Sequence, residues 1–285
     1  MAPATHPLLE DVTVTPEGLR AGLTLRAEES WLTHHATGET RLSLGLFLPE
    51  LARAALARQT GADVAGLRHL VWGRPVAVNG HPRRLSLAIR QDAAGLFYQV
   101  TADGEEAAPC HLGELLPHEA EAFRALSLDA AAFAAGADVL PAFRDFAARC
   151  AAHSGPPAPE AASVQALRRD GDVLTARLTR AAGGSNGMVI DPLCLDAVWR
   201  VLAFAENEKD GALPFPYALG SLTLEPAAQA GLPEALWLRL SRRAADEGWV
   251  LSLHDAGGQT LMTLNGVLTA PHEALAEIRF EEEAL

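Results

Sequence analysis

The sequence is short of positive charge, of cysteine and of long apolar runs, and each shortage closes off a class of function. Lysine and arginine number 23 against 36 aspartate and glutamate, a formal net charge of -13 at pH 7. A chain that binds nucleic acid needs a basic face for phosphates, so this balance argues against a nucleic-acid partner. The three cysteines, Cys110, Cys150 and Cys194, are odd in number and lack CxxC spacing. They give neither a disulfide framework nor a zinc site, and they suit a reducing cytoplasm. The histidines are scattered apart from the adjacent His34 and His35, and no HExxH occurs, so no metal is expected. No apolar run reaches the roughly 18 residues of a membrane span, so no membrane is expected either. The N-terminus, Met1 to Pro7, has no charged stretch leading into an apolar one, as a secretion signal would. The Gly183 to Gly187 loop is glycine-rich, but no GK[ST] follows and no βαβ unit surrounds it, which excludes a phosphate loop.

What is present is an ordinary globular composition, 49% hydrophobic and 21% charged, over 285 residues. That length holds one large domain or two fused smaller ones. Strand patterns cover Val12 to Leu25, Leu67 to Val78, Arg84 to Arg90 and Leu96 to Thr101, separated by Gly, Pro, Asn and Asp turns. A helix over Leu48 to Gln59 interrupts them, with Leu48, Leu51, Ala55 and Leu56 on one stripe and Gly61 placed to cap its end. Pro49 must fall in the first turn, because a proline deeper in a helix costs about 3 kcal/mol. Residues 114 to 153 are Ala-rich and helical in pattern, up to the Gly155-Pro-Pro-Ala-Pro159 stop. The order then repeats. Strands over Val164 to Leu167 and Val173 to Leu178 flank an Asp170-Gly171 hairpin turn. A helix over Leu193 to Glu206 follows, then strands over Leu219 to Leu224, Leu236 to Arg242, Trp249 to His254 and Thr260 to Leu268. Strands, one apolar helix, strands, and then the same again is the order of a duplicated unit in which a sheet wraps a helix.

The short motifs resemble the dehydratase domain of modular polyketide synthases. His6-Pro-Leu-Leu9 matches that family's opening segment. Trp31-Leu-Thr-His-His35, with Gly45 ten residues on and Glu50-Leu-Ala52 after it, matches the stretch carrying the family's histidine. Cys110-His-Leu-Gly113, Leu195-Asp-Ala197 and Leu213-Pro-Phe-Pro216 follow in the family's order. The resemblance implies an α+β double hotdog fold, two curved antiparallel sheets each wrapped on a central helix. Residues 1–124 would form the first hotdog, and 125–285 linker helices and the second. It also implies a 3-hydroxyacyl thioester substrate on the phosphopantetheine of an acyl carrier protein. No bound cofactor is implied; neighbouring synthase domains are expected as partners, and a homodimer as the assembly. The departures are specific: Leu44 replaces a proline, Gly38 falls one residue early, Ser154-Gly-Pro-Pro-Ala158 is a degraded box, Asp191 replaces a histidine, and Arg200 replaces a glutamine or histidine.

In this resemblance His35 is the base that takes the proton alpha to the carbonyl, and Asp196 the acid that protonates the leaving hydroxyl. A histidine near its ordinary pKa of about 6.5 needs no tuning for that work. The enolate-like oxygen also needs hydrogen-bond donors, and Gly45 stands just before a helix, where backbone N–H groups are available. As residues alone, His34 and His35 are equally a surface loop, and Asp196 is equally a helix-dipole carboxylate or a salt-bridge partner of Arg200. Pairing with Arg200 would lower the Asp196 pKa and suit it to holding a hydroxyl rather than donating a proton. Tyr217 is placed to line an acyl tunnel or simply to pack, Trp199 reads as core, and Cys194 as a small buried apolar residue. Asp191, before Pro192, reads as a helix cap. Three functions stay open: dehydration; a related reaction on the same fold (double-bond isomerisation, cyclic-ether closure or beta-branching); and a non-catalytic spacer that docks its neighbours.

Overall fold

The computed structural model describes residues 6–16, 18–26, 36–37, 40–43, 45–73, 75–78, 81–103, 109–117, 128, 141–154, 162–181, 187–210, 214–243 and 248–271. The sequence stretches 31–35, 118–127, 155–161 and 182–186 lie outside them, and with these His35, the whole Gly155–Pro159 stop and most of the Gly183–Gly187 loop.

The first half contributes β1 (Glu10–Thr15), β2 (Gly18–Leu25), β5 (Val64–Trp72), β7 (Arg83–Gln91), β8 (Leu96–Ala102) and β9 (His111–Pro117) to a large antiparallel sheet. The second half contributes β10 (Ser163–Asp170), β11 (Val173–Thr179), β12 (Pro214–Leu224), β13 (Ala235–Arg242), β14 (Trp249–His254) and β15 (Thr260–Pro271). The order is β1-β2-β7-β8-β9-β5-β12-β15-β14-β13-β11-β10, so the two six-stranded halves join edge to edge at β5 and β12. The seam is close: Gly66 pairs with Thr223, and a Cβ on Gly66 would stand 2.3 Å from the Leu222 carbonyl oxygen. Only glycine lets the two backbones meet there. Three short strands, β3 (Ala36–Thr37), β4 (Thr40–Ser43) and β6 (Val76–Val78), form a separate small sheet.

Each half has one central helix. In α1 (Leu48–Thr60) every residue from Leu48 to Leu56 is buried, and α3 (Pro192–Asp210) is buried almost throughout from Pro192 to Ala205. A helix covered on all sides belongs inside a core rather than on a surface. Pro49 does lie in the first turn of α1, and Gly61 takes the left-handed conformation (φ 69°) that returns its N–H to the Ala57 carbonyl. A third helix, α2 (Pro141–Ser154), packs Phe143 and Phe146 edge-on against Phe204 of α3. A single hydrophobic cluster runs from Leu8 to Val267 through both halves.

Three sequence expectations change. The Val12–Leu25 pattern is two strands, β1 and β2, folded on each other. The Leu67–Val78 pattern breaks after Trp72, and its parts join different sheets. Residues 114–117, expected in a helix, are strand, because β9 lies between β8 and β5 and pairs with both. A ladder on each side outweighs the local helical preference of the segment. Among the described residues no helix is long and apolar enough to cross a membrane.

Candidate active site

The start of α3 holds the second half of the site. Asp191 caps the helix as expected: its Oδ1 accepts the N–H groups of Leu193 (2.9 Å) and Cys194 (3.4 Å). Its Oδ2 accepts Arg180 Nε at 2.8 Å and Nη2 at 2.5 Å. Arg180 Nη1 donates to the Leu232 carbonyl as well. Asp191 is therefore a buried, fully engaged structural group. Cys194 is sealed, and burial, with the nearby Asp191 charge, pushes its thiol far up, so it remains a protonated apolar filler.

One turn on, Asp196 is buried, with 10% of its side chain exposed. Arg200 stands at i+4, and its Nη2 lies 3.0 Å from Asp196 Oδ2. The same Nη2 donates to the Ala162 carbonyl (3.1 Å), and Nε approaches the Asp196 carbonyl (3.4 Å). Arg200 thus ties the carboxyl to the chain just before β10, with a quarter of its own side chain exposed.

The position of α3 is set from the other half. Glu50, on α1 and wholly buried, accepts Arg53 Nε (2.7 Å) and Nη2 (2.8 Å) and contacts His6 Nε2 (3.0 Å). It also accepts the backbone N–H groups of Val189 (3.1 Å) and Ile190 (2.8 Å), the residues just before the Asp191 cap. Burial pushes the Glu50 carboxyl up, but the bonds from Arg53 and His6, the Arg53 charge and the Ile190 N–H outweigh it and hold it below its ordinary value. The His6-Pro-Leu-Leu9 and Glu50-Leu-Ala52 motifs therefore meet in one clamp that fixes the helix bearing Asp196.

Between the halves lies an aromatic relay. Gly45 (φ 70°) precedes α1, and its carbonyl accepts both Leu48 N–H (3.0 Å) and Trp72 Nε1 (3.2 Å). The Trp72 ring stacks at a tilt on His111 (5.1 Å between centroids) and meets Trp199 of α3 edge-on (6.4 Å). His111 Nδ1 faces the Val71 carbonyl at 2.8 Å, which can only accept, so Nδ1 carries the proton and Nε2 accepts from the Tyr98 hydroxyl (2.8 Å). Burial pulls the His111 pKa down to about 3, and burial pushes the Tyr98 phenol well above its ordinary value. The histidine of Cys110-His-Leu-Gly113 is thus a neutral strut, sealed from solvent.

Of the sequence-predicted site residues, Asp196 and Arg200 are brought together, while Gly45 sits across the relay from them. Tyr217 stands half-buried at a register shift in β12, and no hydrogen bond or ring contact joins it to Asp196. His35 lies outside the described residues. Sequence reasoning missed the Glu50 clamp and the Trp72–Trp199 contact. A glutamate three residues before an arginine inside an apolar helix was the readable signal for the first; nothing in the sequence pairs the two tryptophans.

A family profile described as polyketide synthase dehydratase domain matches residues 6–102. The polyketide synthase ThaG of Burkholderia thailandensis is 27% identical over 300 residues, covering 95% of this chain; the chain spans 5% of that protein's length. The dehydratase domain of RzxB from Pseudomonas fluorescens superposes with a TM-score of 0.75 at 26% identity, covering 93% of this chain and 98% of that one. The pyran synthase domain from module nine of the sorangicin pathway superposes with a TM-score of 0.75 at 24% identity, covering 94% and 99%. The chain has the double hotdog fold of polyketide synthase dehydratase domains, and over its first third it matches that family's profile.

Proposed function

We propose that this chain moves protons on an acyl thioester carried by the phosphopantetheine of an acyl carrier protein, as a dehydratase-type domain of a modular polyketide synthase. The observation that carries the reading is Asp196, a nearly enclosed carboxyl on the central helix of the second half, locked to the first half through the Glu50 clamp. His35 is the base. In the elimination, His35 takes the C2 proton and its electrons form the C2–C3 double bond. The C3–O bond breaks, and the hydroxyl leaves as water with a proton from Asp196. Gly45 supplies a backbone donor to the thioester oxygen, and Tyr217 borders the acyl chain. Neither a metal nor an organic cofactor is needed for these steps. Neighbouring synthase domains and a second copy of the chain complete the assembly in a cytoplasmic setting.

The Arg200 pair favours a second reading. A guanidinium 3.0 Å from Asp196 favours the ionised carboxyl, which accepts a proton more readily than it donates one. On a 2-enoyl thioester with a distant hydroxyl, Asp196 takes the hydroxyl proton and the oxygen adds to C3. C2 then receives a proton from protonated His35, closing a cyclic ether without a change in mass. Isomerisation or beta-branching would draw on the same groups.

The test is an intact-mass and chromatographic assay of carrier-bound 3-hydroxyacyl and hydroxy-enoyl substrates, with wild type, His35→Ala and Asp196→Asn. Loss of one water by wild type alone supports elimination. A new isomer of unchanged mass from the enoyl substrate supports ring closure or isomerisation. Product formation that neither substitution alters would overturn both and leave a docking spacer.

A further inference from the structure

Trp199 has a buried hydrogen-bond donor with no protein partner. It is 7% exposed, and its indole nitrogen is sealed and unpaired. Two other described indoles spend theirs internally: Trp72 on the Gly45 carbonyl and Trp249 on Glu206. A buried tryptophan N–H normally finds an acceptor, because leaving one unmade forfeits its hydration. The position adds to the anomaly. Trp199 is three residues beyond Asp196, so both occupy one face of α3. Its edge meets Trp72, which is bonded to the residue before α1. The indole with the idle donor therefore sits on the helix of Asp196 and reaches Gly45 of the other half through one ring, Trp72.

We propose that the Trp199 indole N–H is a donor to the thioester carbonyl oxygen of the substrate, strengthening as that oxygen gains enolate charge. This rests on the reading of the chain as acting on an acyl thioester. Proton removal at C2 moves charge onto that oxygen, and a fixed donor in a water-poor site stabilises it without reorganising. Because the protein itself supplies no acceptor, the N–H has no internal bond to give up when the thioester displaces the groups covering it. The indole is thus a second donor beside the backbone at Gly45, supplied by the opposite half.

Trp199→Phe keeps a ring against Trp72 and deletes the donor. With a carrier-bound substrate, kcat is expected to fall by about 10²–10³-fold while KM changes little. The direct readout is the infrared carbonyl band of a bound, non-reacting saturated acyl-pantetheine thioester, isotope-labelled at the carbonyl. The band should lie lower in wild type than in Trp199→Phe, and the variant should melt at or above the wild-type temperature. Equal band positions overturn the proposal even if activity falls, as does a lowered melting temperature that accounts for the loss. If the thioester binds neither protein, the reading of the chain as an acyl-thioester enzyme fails first, and the inference falls with it.

Discussion

Two carboxylates sit on the two central helices, each with an arginine one turn away, and they have opposite fates. Glu50 is wholly buried, both its oxygens engaged by Arg53, by His6 and by two backbone N–H groups from the other half. Asp196 keeps a tenth of its side chain exposed, and its arginine is itself a quarter exposed. One acid–arginine pair is a rivet between the halves, and the other is the pair that the proposed reaction would use. A carboxylate held by five contacts is stabilised in the folded state and has no oxygen left for a substrate. The rivet also positions Asp196, since the N–H groups it holds begin the turn that Asp191 caps and from which Asp196 projects.

The comparison breaks most visibly by removing the rivet. Glu50→Ala leaves the buried Arg53 charge and two backbone donors unpaired, so unfolding by urea should show a loss of about 3–5 kcal/mol. Asp196→Asn should divide the other way. Product formation falls about 10²–10⁴-fold in the carrier-bound assay, with a stability loss of only about 1–3 kcal/mol in the same urea titration. A large stability loss with activity retained would reverse the assignment of the two carboxylates.

Arg200→Gln sharpens the contrast, because it removes the cation while leaving Asp196 in place. Without that charge the ionised carboxyl loses a stabilising partner, so the pH–rate profile should move to higher pH if Asp196 takes part in the reaction. If Asp196 must donate a proton, activity at neutral pH rises; if it must accept one, activity there falls. The profile thus separates elimination from oxygen addition.

The effect that develops only in acid lies in the relay between the halves. The folded His111 pKa is about 3, below its unfolded value of 6.5, so between these values the unfolded chain binds a proton that the native one does not. Stability therefore declines as pH falls from 6.5 toward 3, by about 1.4 kcal/mol per unit for this one group. His111→Gln should flatten that part of the curve of melting temperature against pH. Glu50 acts in the same direction at lower pH: its contribution is present above 4.5 and is lost as pH falls through its lowered folded value.

Much of this was legible in the sequence. Pro49 and Gly61 punctuate α1, and the Asp170-Gly171 turn sets β10 against β11, with Asp170 opposite Val173. Asp191 before Pro192 marks a cap, and the i+4 spacing of Asp196 and Arg200 permits the contact that the structure makes. These are local signals, carried by residues within a turn or two of one another. The strand at His111–Pro117 was not legible, because only its neighbours β8 and β5 make it a strand. Arg180 as the partner of Asp191 was hidden for the same reason.

The sequence by itself determined the element order, the two buried helices and the spacing of the acidic groups along them, because periodicity and turn chemistry act over a few residues. Only the tertiary structure decided which carboxylate would be wholly buried by the opposite half and which would keep a tenth of its side chain exposed. That choice depends on Val189 and Ile190 meeting Glu50 across 139 and 140 residues of chain, and on Trp199 arriving beside Trp72 without an acceptor for its N–H. Burial and pairing at such distances are properties of packing, which no short stretch of sequence encodes.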